Sequence, residues 1–271
     1  MNKLFSTIIV FLINLTAFFC LLPSIALSLD EDTASKLINI ATIDYPPLMG
    51  EQEGLMTDIV KEAFSIQEYQ VNYTLIPMAR IAWSITEGDS DAAIGSIHWL
   101  RGKQLLEQVR HKTIYYTGMH LFYRKQQFPE GINYQDLSEI NQYKIGYIRS
   151  GSMLQVLKKA GIKPQLVKDL ATNSRKLKTQ RIDMFVATEL GGWGAIKKKY
   201  PDAVNEFAMM PRPILDILGS GDVIFPLKNK HIQGIFERGL LKLINNGGYR
   251  QILEKYYGKG KIPTNLLPLI L

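Results

Sequence analysis

The sequence predicts an α/β protein of two lobes, each a mostly parallel sheet flanked by helices, with the chain crossing between them twice. Three observations carry the prediction. Between residues 37 and 97, short apolar runs alternate with amphipathic stretches twice in succession; this marks strand–helix–strand units and a parallel sheet with right-handed crossovers. A charged connector at 125–131 interrupts the alternation, and the same rhythm restarts at Tyr143. Near the end, 222–226 reads as a strand that returns to the first block. The expected lobes are 29–122 for the first part of lobe 1, 123–218 for lobe 2, and 219–271 for the return to lobe 1 and the C-terminal helices.

In chain order, residues 1–28 are set aside first. Lys3 supplies a positive start, 4–22 an apolar stretch, and Pro23 with Ala26-Leu27-Ser28 a small-residue cleavage site, the pattern of a signal peptide. An uncleaved anchor is the alternative, because the apolar run is nearly long enough to span a bilayer. Residues 37–43 read as a strand ended by Tyr45-Pro46-Pro47, where two prolines forbid further pairing. Gly54 precedes an amphipathic helix over 55–66, with Leu55, Ile59, Val60 and Ala63 on one face. A strand at 71–76, a helix at 78–87 ended by Gly88, and a strand at 91–97 complete the first block. Residues 114–124 are β-prone and bend at Gly118. The second block runs strand 143–148, helix 152–160, strand 165–167, helix 174–180, strand 182–187, helix 190–199. Helices at 230–245 and 249–257 close the chain. Crossings between the lobes are expected near 120–126 and 216–222, with Gly219 and Gly221 able to bend.

Composition narrows the chemistry. The chain of 271 residues is 46% hydrophobic and 21% charged, ordinary for a globular protein. Its one cysteine, Cys20, lies in the leader, so the mature chain relies on its core and not on disulfides. Four scattered histidines, with no H-E-x-x-H or C-x-x-C pattern, argue against a metal, and no cofactor is expected. The net charge of +7 falls to +6 without Lys3. It is spread over solvated helix faces such as Lys197-Lys198-Lys199, without the aromatic–basic ladder of a nucleic-acid binder.

The stretch from Asp91 to Arg101, DAAIGSIHWLR, is where chemistry is expected. In open α/β sheets, ligands bind just beyond the carboxyl ends of strands. Ser96, Trp99 and Arg101 follow the apolar run within about a turn. A hydroxyl, an indole and a guanidinium suit a planar or anionic group, and an arginine grips a carboxylate through two parallel hydrogen bonds. Two α/β lobes imply a cleft between them, where small ligands bind.

These residues resemble those of the bacterial periplasmic solute-binding proteins of the polar amino-acid-binding type, the binding components of ABC importers (extracellular solute-binding proteins, family 3). The matching features are Tyr45-Pro46-Pro47, Asp58-Ile59-Val60, Glu87-Gly88-x-x-Asp91, Arg101, Tyr115-Tyr116, Tyr134-Gln135-Asp136-Leu137 and Lys144-Ile145-Gly146. Ser150-Gly151-Ser152, Asp183 and the ending Asn246-Gly247-Gly248 through Tyr256-Tyr257-Gly258 follow in order. The resemblance implies the two-lobed periplasmic-binding-protein fold and a ligand held in the cleft. It places Arg101 on a ligand carboxylate and the N–H groups of Ser150, Gly151 and Ser152 on the same group, for which a helix N-terminus is suited. It sets Tyr45 over the ligand, and backbone groups of Ser96 and Ile97 against the ligand's amine. One departure is important: an Asp usually pairs with the α-ammonium where this chain has Thr188, with Glu189 beside it. Either Glu189 takes over or the ligand is not an ordinary α-amino acid. Leu48 replaces a usual Phe. Arg80 and Arg149 are further candidate cleft cations, with a surface role as the alternative for Arg80, and Trp83 reads as core.

The expectation is a monomeric, non-enzymatic periplasmic protein that captures a small polar, carboxylate-bearing solute and presents it to a membrane permease. No nucleophile–base pattern, P-loop or zinc motif is present in the sequence. The alternatives are a dehydratase-like enzyme on the same fold, with Glu189 as its acid, and a ligand sensor that docks on a membrane receptor.

Overall fold

The computed structural model describes residues 36–88, 90–100, 102–149, 151–215, 219–263 and 266; the expected signal segment lies outside them. The first block holds β1 (Leu37–Thr42), α1 (Leu55–Ser65), β2 (Gln70–Leu75), α2 (Ile81–Thr86), β3 (Ala92–Gly95), α3 (Lys103–Leu106) and β4 (Val109–Thr117). The second holds β5 (Met119–Arg124), β6 (Ile145–Ile148), α4 (Leu154–Lys159), β7 (Gln165–Val167), α5 (Leu170–Lys178), β8 (Met184–Thr188), α6 (Glu189–Lys199) and β9 (Phe207–Met209). Then come β10 (Gly219–Pro226), α7 (Lys230–Asn245) and α8 (Gly248–Tyr257).

The strands form two five-stranded sheets, ordered β2-β1-β3-β10-β4 and β7-β6-β8-β5-β9. In the first, β1 runs parallel to β2 and β3, and β10 antiparallel to β3 and β4. The second repeats the scheme, with β6 parallel to β7 and β8, and β5 antiparallel to β8 and β9. The β-prone run expected as one bent strand is therefore two. It changes sheets at Gly118, slightly before the expected crossing, because β4 pairs with β10 while β5 pairs with β8.

Each sheet has its own core. In the first, α1 turns Leu55, Ile59, Val60, Ala63 and Phe64 inward. Phe64 meets Phe236 of α7 with ring centroids 5.4 Å apart, and Tyr249 of α8 donates to the Ile114 carbonyl at 2.6 Å. The second packs Phe122 against Phe185, rings stacked at 5.0 Å. Burial of such side chains contributes about 1.5–3 kcal/mol each.

Other differences from the sequence reading are local. The helix expected over 78–87 begins as a short 3-10 turn, Met78–Arg80, before α2. Helix α5 starts at Leu170, four residues early, because the Asp169 carboxylate caps it by accepting the Thr172 N–H at 2.7 Å. Strand β9 and the short α3 carry too few apolar positions to announce themselves. Trp83, expected in the core, is 53% exposed.

Candidate functional site

The carboxyl ends of β1, β3, β6 and β8 converge on one cavity of about 400 Å³, walled by residues of both lobes. Its first wall comes from the turn after β1. Tyr45 and Met49 exchange two backbone hydrogen bonds of 3.0 Å, and this tight turn presents Tyr45, Leu48 and Met49 to the cavity. Met56, in the first turn of α1, extends that wall.

The second wall is the turn after β3. Ser96 caps the 3-10 turn Ile97–Trp99, its Oγ accepting the His98 N–H at 3.3 Å. The Ile97 N–H is donated to the Asp222 carboxylate at 2.8 Å. Asp222 is fully buried, and it also accepts from the hydroxyls of Thr113 (2.7 Å) and Ser220 (2.6 Å). It sits where the β10–β4 register shifts between Gly221 and Asp222; bulges of this kind re-aim side chains beside binding sites. Trp99 then lies over Gly95, where any Cβ would overlap the indole.

Lobe 2 supplies the opposite side. The Tyr147 hydroxyl accepts the Met153 N–H at 3.0 Å, and the Gly151 N–H is donated to the Ile148 carbonyl at 3.3 Å. The helix expected to open at Ser152 therefore begins only at Leu154. The N–H groups of Gly151 and Met153 serve the turn itself. Thr188 caps α6 by accepting the Gly191 N–H at 3.2 Å, and its hydroxyl lies 3.4 Å from that of Tyr45. The Tyr45–Thr188 pair joins the two lobes directly. The adjoining turn of α6 is glycine: a Cβ on Gly191 would come within 2.6 Å of the Tyr45 ring, and one on Gly194 within 2.5 Å of Pro47.

Burial raises the pKa of the lining phenols of Tyr45 and Tyr147 and pushes Tyr115 up to about 12. Tyr115 shares a 2.5 Å hydrogen bond with Tyr257, whose pKa is also raised, first by burial. Burial thus favours the neutral form of the three phenols in the cavity wall.

Of the residues expected from the sequence, Tyr45, Ser96, Trp99, Gly151, Ser152 and Thr188 line this cavity. Arg101 and Ser150 lie outside the described residues. Ile97, Arg80, Arg149 and Glu189 are not among the described lining residues. The Ile97 N–H is committed to Asp222. Arg80 stands exposed at the end of its 3-10 turn. Arg149 is exposed and lines a neighbouring groove with Met78, Trp99 and Leu154. Glu189 opens α6, near enough for its charge to raise the pKa values of Tyr115 and Tyr257. The sequence reading missed the methionines, Tyr115, Tyr147, Thr117, Ser220 and His98. They are scattered over more than 160 residues, and only the topology gathers them.

Several solved structures share this architecture. A histidine kinase sensor domain with similarity to periplasmic binding proteins is 17% identical, with a TM-score of 0.69 over 83% of this chain and 97% of that one. An ancestral arginine-binding protein bound to glutamine is 16% identical, with a TM-score of 0.67 over 83% and 99%. An ABC uptake transporter substrate-binding protein from Streptococcus pneumoniae with bound histidine is 14% identical, with a TM-score of 0.68 over 84% and 95%. At these identities the likeness establishes the fold, the two-lobed periplasmic-binding-protein arrangement. A comparison with curated protein sequences gave no match. The sequence pattern of one family spans residues 38–259, nearly all of both lobes. The chain belongs to the bacterial extracellular solute-binding proteins, family 3.

Proposed function

We propose that this protein is an exported, non-catalytic binding protein that captures a small carboxylate-bearing solute, an amino acid or a relative of one, between its lobes and presents it to the permease of an ABC importer. The observation that carries this reading is the cavity of about 400 Å³ walled by strand ends of both lobes, the place where an α/β sheet meets a ligand. Family membership supports binding over catalysis. The dehydratase alternative needs an acid in the cleft, and its candidate, Glu189, is not among the described lining residues. Export by a signal peptide, a mature chain beginning near Leu29, a periplasmic location and a monomeric state belong to the same proposal.

A second reading is a sensor that docks on a membrane receptor. The similar structures favour it to the extent that they include a kinase sensor domain and the GluR0 ligand-binding core in complex with L-glutamate. Uptake of the identified solute by cells with and without this protein separates the two: an importer component is needed for uptake, a sensor is not.

The test of binding is a thermal-shift screen of amino acids, dicarboxylates and amines on the chain from Leu29, because a ligand that binds only the folded state raises its melting temperature. A positive solute should also reduce the radius of gyration in solution scattering. The carboxylate contact is assigned to Arg101 in this reading. Truncation of such a charged partner costs about 2–5 kcal/mol, so Arg101→Ala should weaken binding about thirtyfold or more. Arg101→Lys should restore little, since Lys lacks the forked geometry. Wild-type affinity in Arg101→Ala would remove the carboxylate clamp, and a screen without a single shift would remove solute binding.

A further inference from the structure

We infer that the solute bound in the cleft has an apolar, ring-bearing body, an aromatic acid or aromatic amino acid and not a polar-side-chain one. This rests on reading the cavity as the solute site and concerns what the site selects.

The first observation is the concentration of thioethers. The sequence has nine methionines, and five of them, Met49, Met56, Met78, Met119 and Met153, line this one cavity. They come from both lobes: Met49 closes the turn after β1, Met56 lies in the first turn of α1, Met78 precedes α2, Met119 opens β5 and Met153 precedes α4. Three of the five are nearly fully buried, with Met49 4%, Met56 2% and Met153 6% exposed, so their side chains are fixed in the two cores. Thioethers are polarizable, adapt to irregular shapes and make favourable contacts with ring edges.

The second observation is independent of the first. Four rings, Tyr45, Trp99, Tyr115 and Tyr147, line the same cavity, again from both lobes. Rings pair with rings in offset or edge-to-face geometry and gain beyond their buried area. The hydroxyls beside them are engaged in the protein: Tyr115 with Tyr257, Tyr147 with the Met153 N–H, Tyr45 with Thr188. What those side chains offer a ligand is mainly their ring surface. Burial keeps the three phenols neutral well past physiological pH, in keeping with an apolar wall.

The third observation concerns Thr188, which stands where a carboxylate was expected. Its hydroxyl caps α6 and meets Tyr45, a structural task that an ammonium-binding role would have to displace. Among the described lining residues, none carries a carboxylate, an ammonium or a guanidinium group. The lining hydroxyls of Ser96, Thr117, Thr188 and Ser220 are already engaged within the protein, which leaves His98 and Ser152 as the main polar side chains open to a ligand among the described lining residues. A ligand's polar side chain would therefore lose its water mainly against thioethers and rings, which cannot replace those hydrogen bonds.

The experiment uses isothermal titration of the chain from Leu29 with matched pairs: L-phenylalanine against L-alanine, 3-phenylpropionate against propionate, and L-phenylalanine against L-glutamate and L-arginine. The ring-bearing member is expected to bind at least tenfold more tightly in each pair. Binding should change the fluorescence of Trp99, and the change should vanish in Trp99→Phe, which keeps a ring in the wall. Met119→Gln, a near-isosteric change at a half-buried position, should weaken the ring-bearing ligands severalfold more than their non-ring partners, so that the preference within each pair shrinks. If L-glutamate or L-arginine binds as tightly as the ring-bearing compounds or more so, the inference is overturned while solute binding stands. If no compound of the panel binds, the inference falls and solute binding loses its support with it.

Discussion

Asp222 ties the cavity to the sheet beneath it. Its carboxylate holds the Ile97 N–H, and through it the turn that sets Trp99 against the cavity. Asp222→Ala should leave the half-buried Ile97 amide and two hydroxyls without their acceptor, at a cost toward the lower end of about 1–3 kcal/mol for the amide alone. The expected outcome is a lower denaturation midpoint together with altered Trp99 emission; Asp222→Asn, which keeps one acceptor oxygen, should fall between. An unchanged midpoint in Asp222→Ala would show that water replaces the carboxylate there. Tyr115 yields a pH prediction. Its pKa in the folded protein is about 12 against 10.0 for an ordinary tyrosine, owing first to burial. The stabilisation is therefore fully present below pH 10 and lost as the pH rises through about 12, because the unfolded chain ionises first. Phenolate absorbance should show late-titrating tyrosines together with a fall in stability over that window, and Tyr115→Phe should reduce the fall without abolishing it, since Tyr45, Tyr147 and Tyr257 are raised as well. Neither residue was named as a site residue in the sequence: Asp222 read as the start of a strand, and Tyr115 as part of a β-prone run and of the family-like pair Tyr115-Tyr116. Burial and partner, which make them special, are tertiary facts. That Ser96 and Trp99 line the cavity was legible because ligands meet an α/β sheet just beyond its strand ends, and Tyr45 was legible only through the family resemblance.

Helix α6 is the element on which the two lobes meet. Its sequence, ELGGWGAIKKK, has three glycines in eleven residues, a poor helix former by propensity. The compensation is close approach, with Gly191 facing the Tyr45 ring and Gly194 facing Pro47. The two influences on Gly194→Ala have opposite signs. Alanine in place of glycine favours the helix by about 0.8–1 kcal/mol, yet its Cβ would stand 2.5 Å from the Pro47 ring. Gly194→Ala should keep or raise the melting temperature of the protein and weaken solute binding, with a larger radius of gyration at saturating solute. An affinity equal to wild type would mean that the turn after β1 yields without cost. The restarted alternation of strand and helix revealed that α6 exists, whereas periodicity revealed α1. Neither revealed what the glycines were for, because the side chains they make room for, Tyr45, Phe122 and Pro47, lie far off in the chain.

For the whole molecule, the alternation of strand and helix was enough to read two α/β lobes, and the return of the last strand was legible from its isolation. The site was legible only where it follows strand ends. The methionine wall has no spacing to detect, since its members enter from five different segments. The strand order has another consequence, for the time at which each part of the protein is finished. Every strand of the second sheet falls between Met119 and Met209, whereas the first sheet needs β10, which is inserted between β3 and β4. On a chain made from its N-terminus, the lobe begun first is completed last. Until residue 226 is available, β4 has no neighbour in its sheet, a nine-residue strand left bare while about a hundred further residues are made. Its first half carries Arg110, His111 and Lys112, and charge of this kind keeps a bare strand from pairing with another chain. In the finished sheet β4 is still the edge strand, so those side chains guard both sides of it while the molecule is unfinished and one side afterwards.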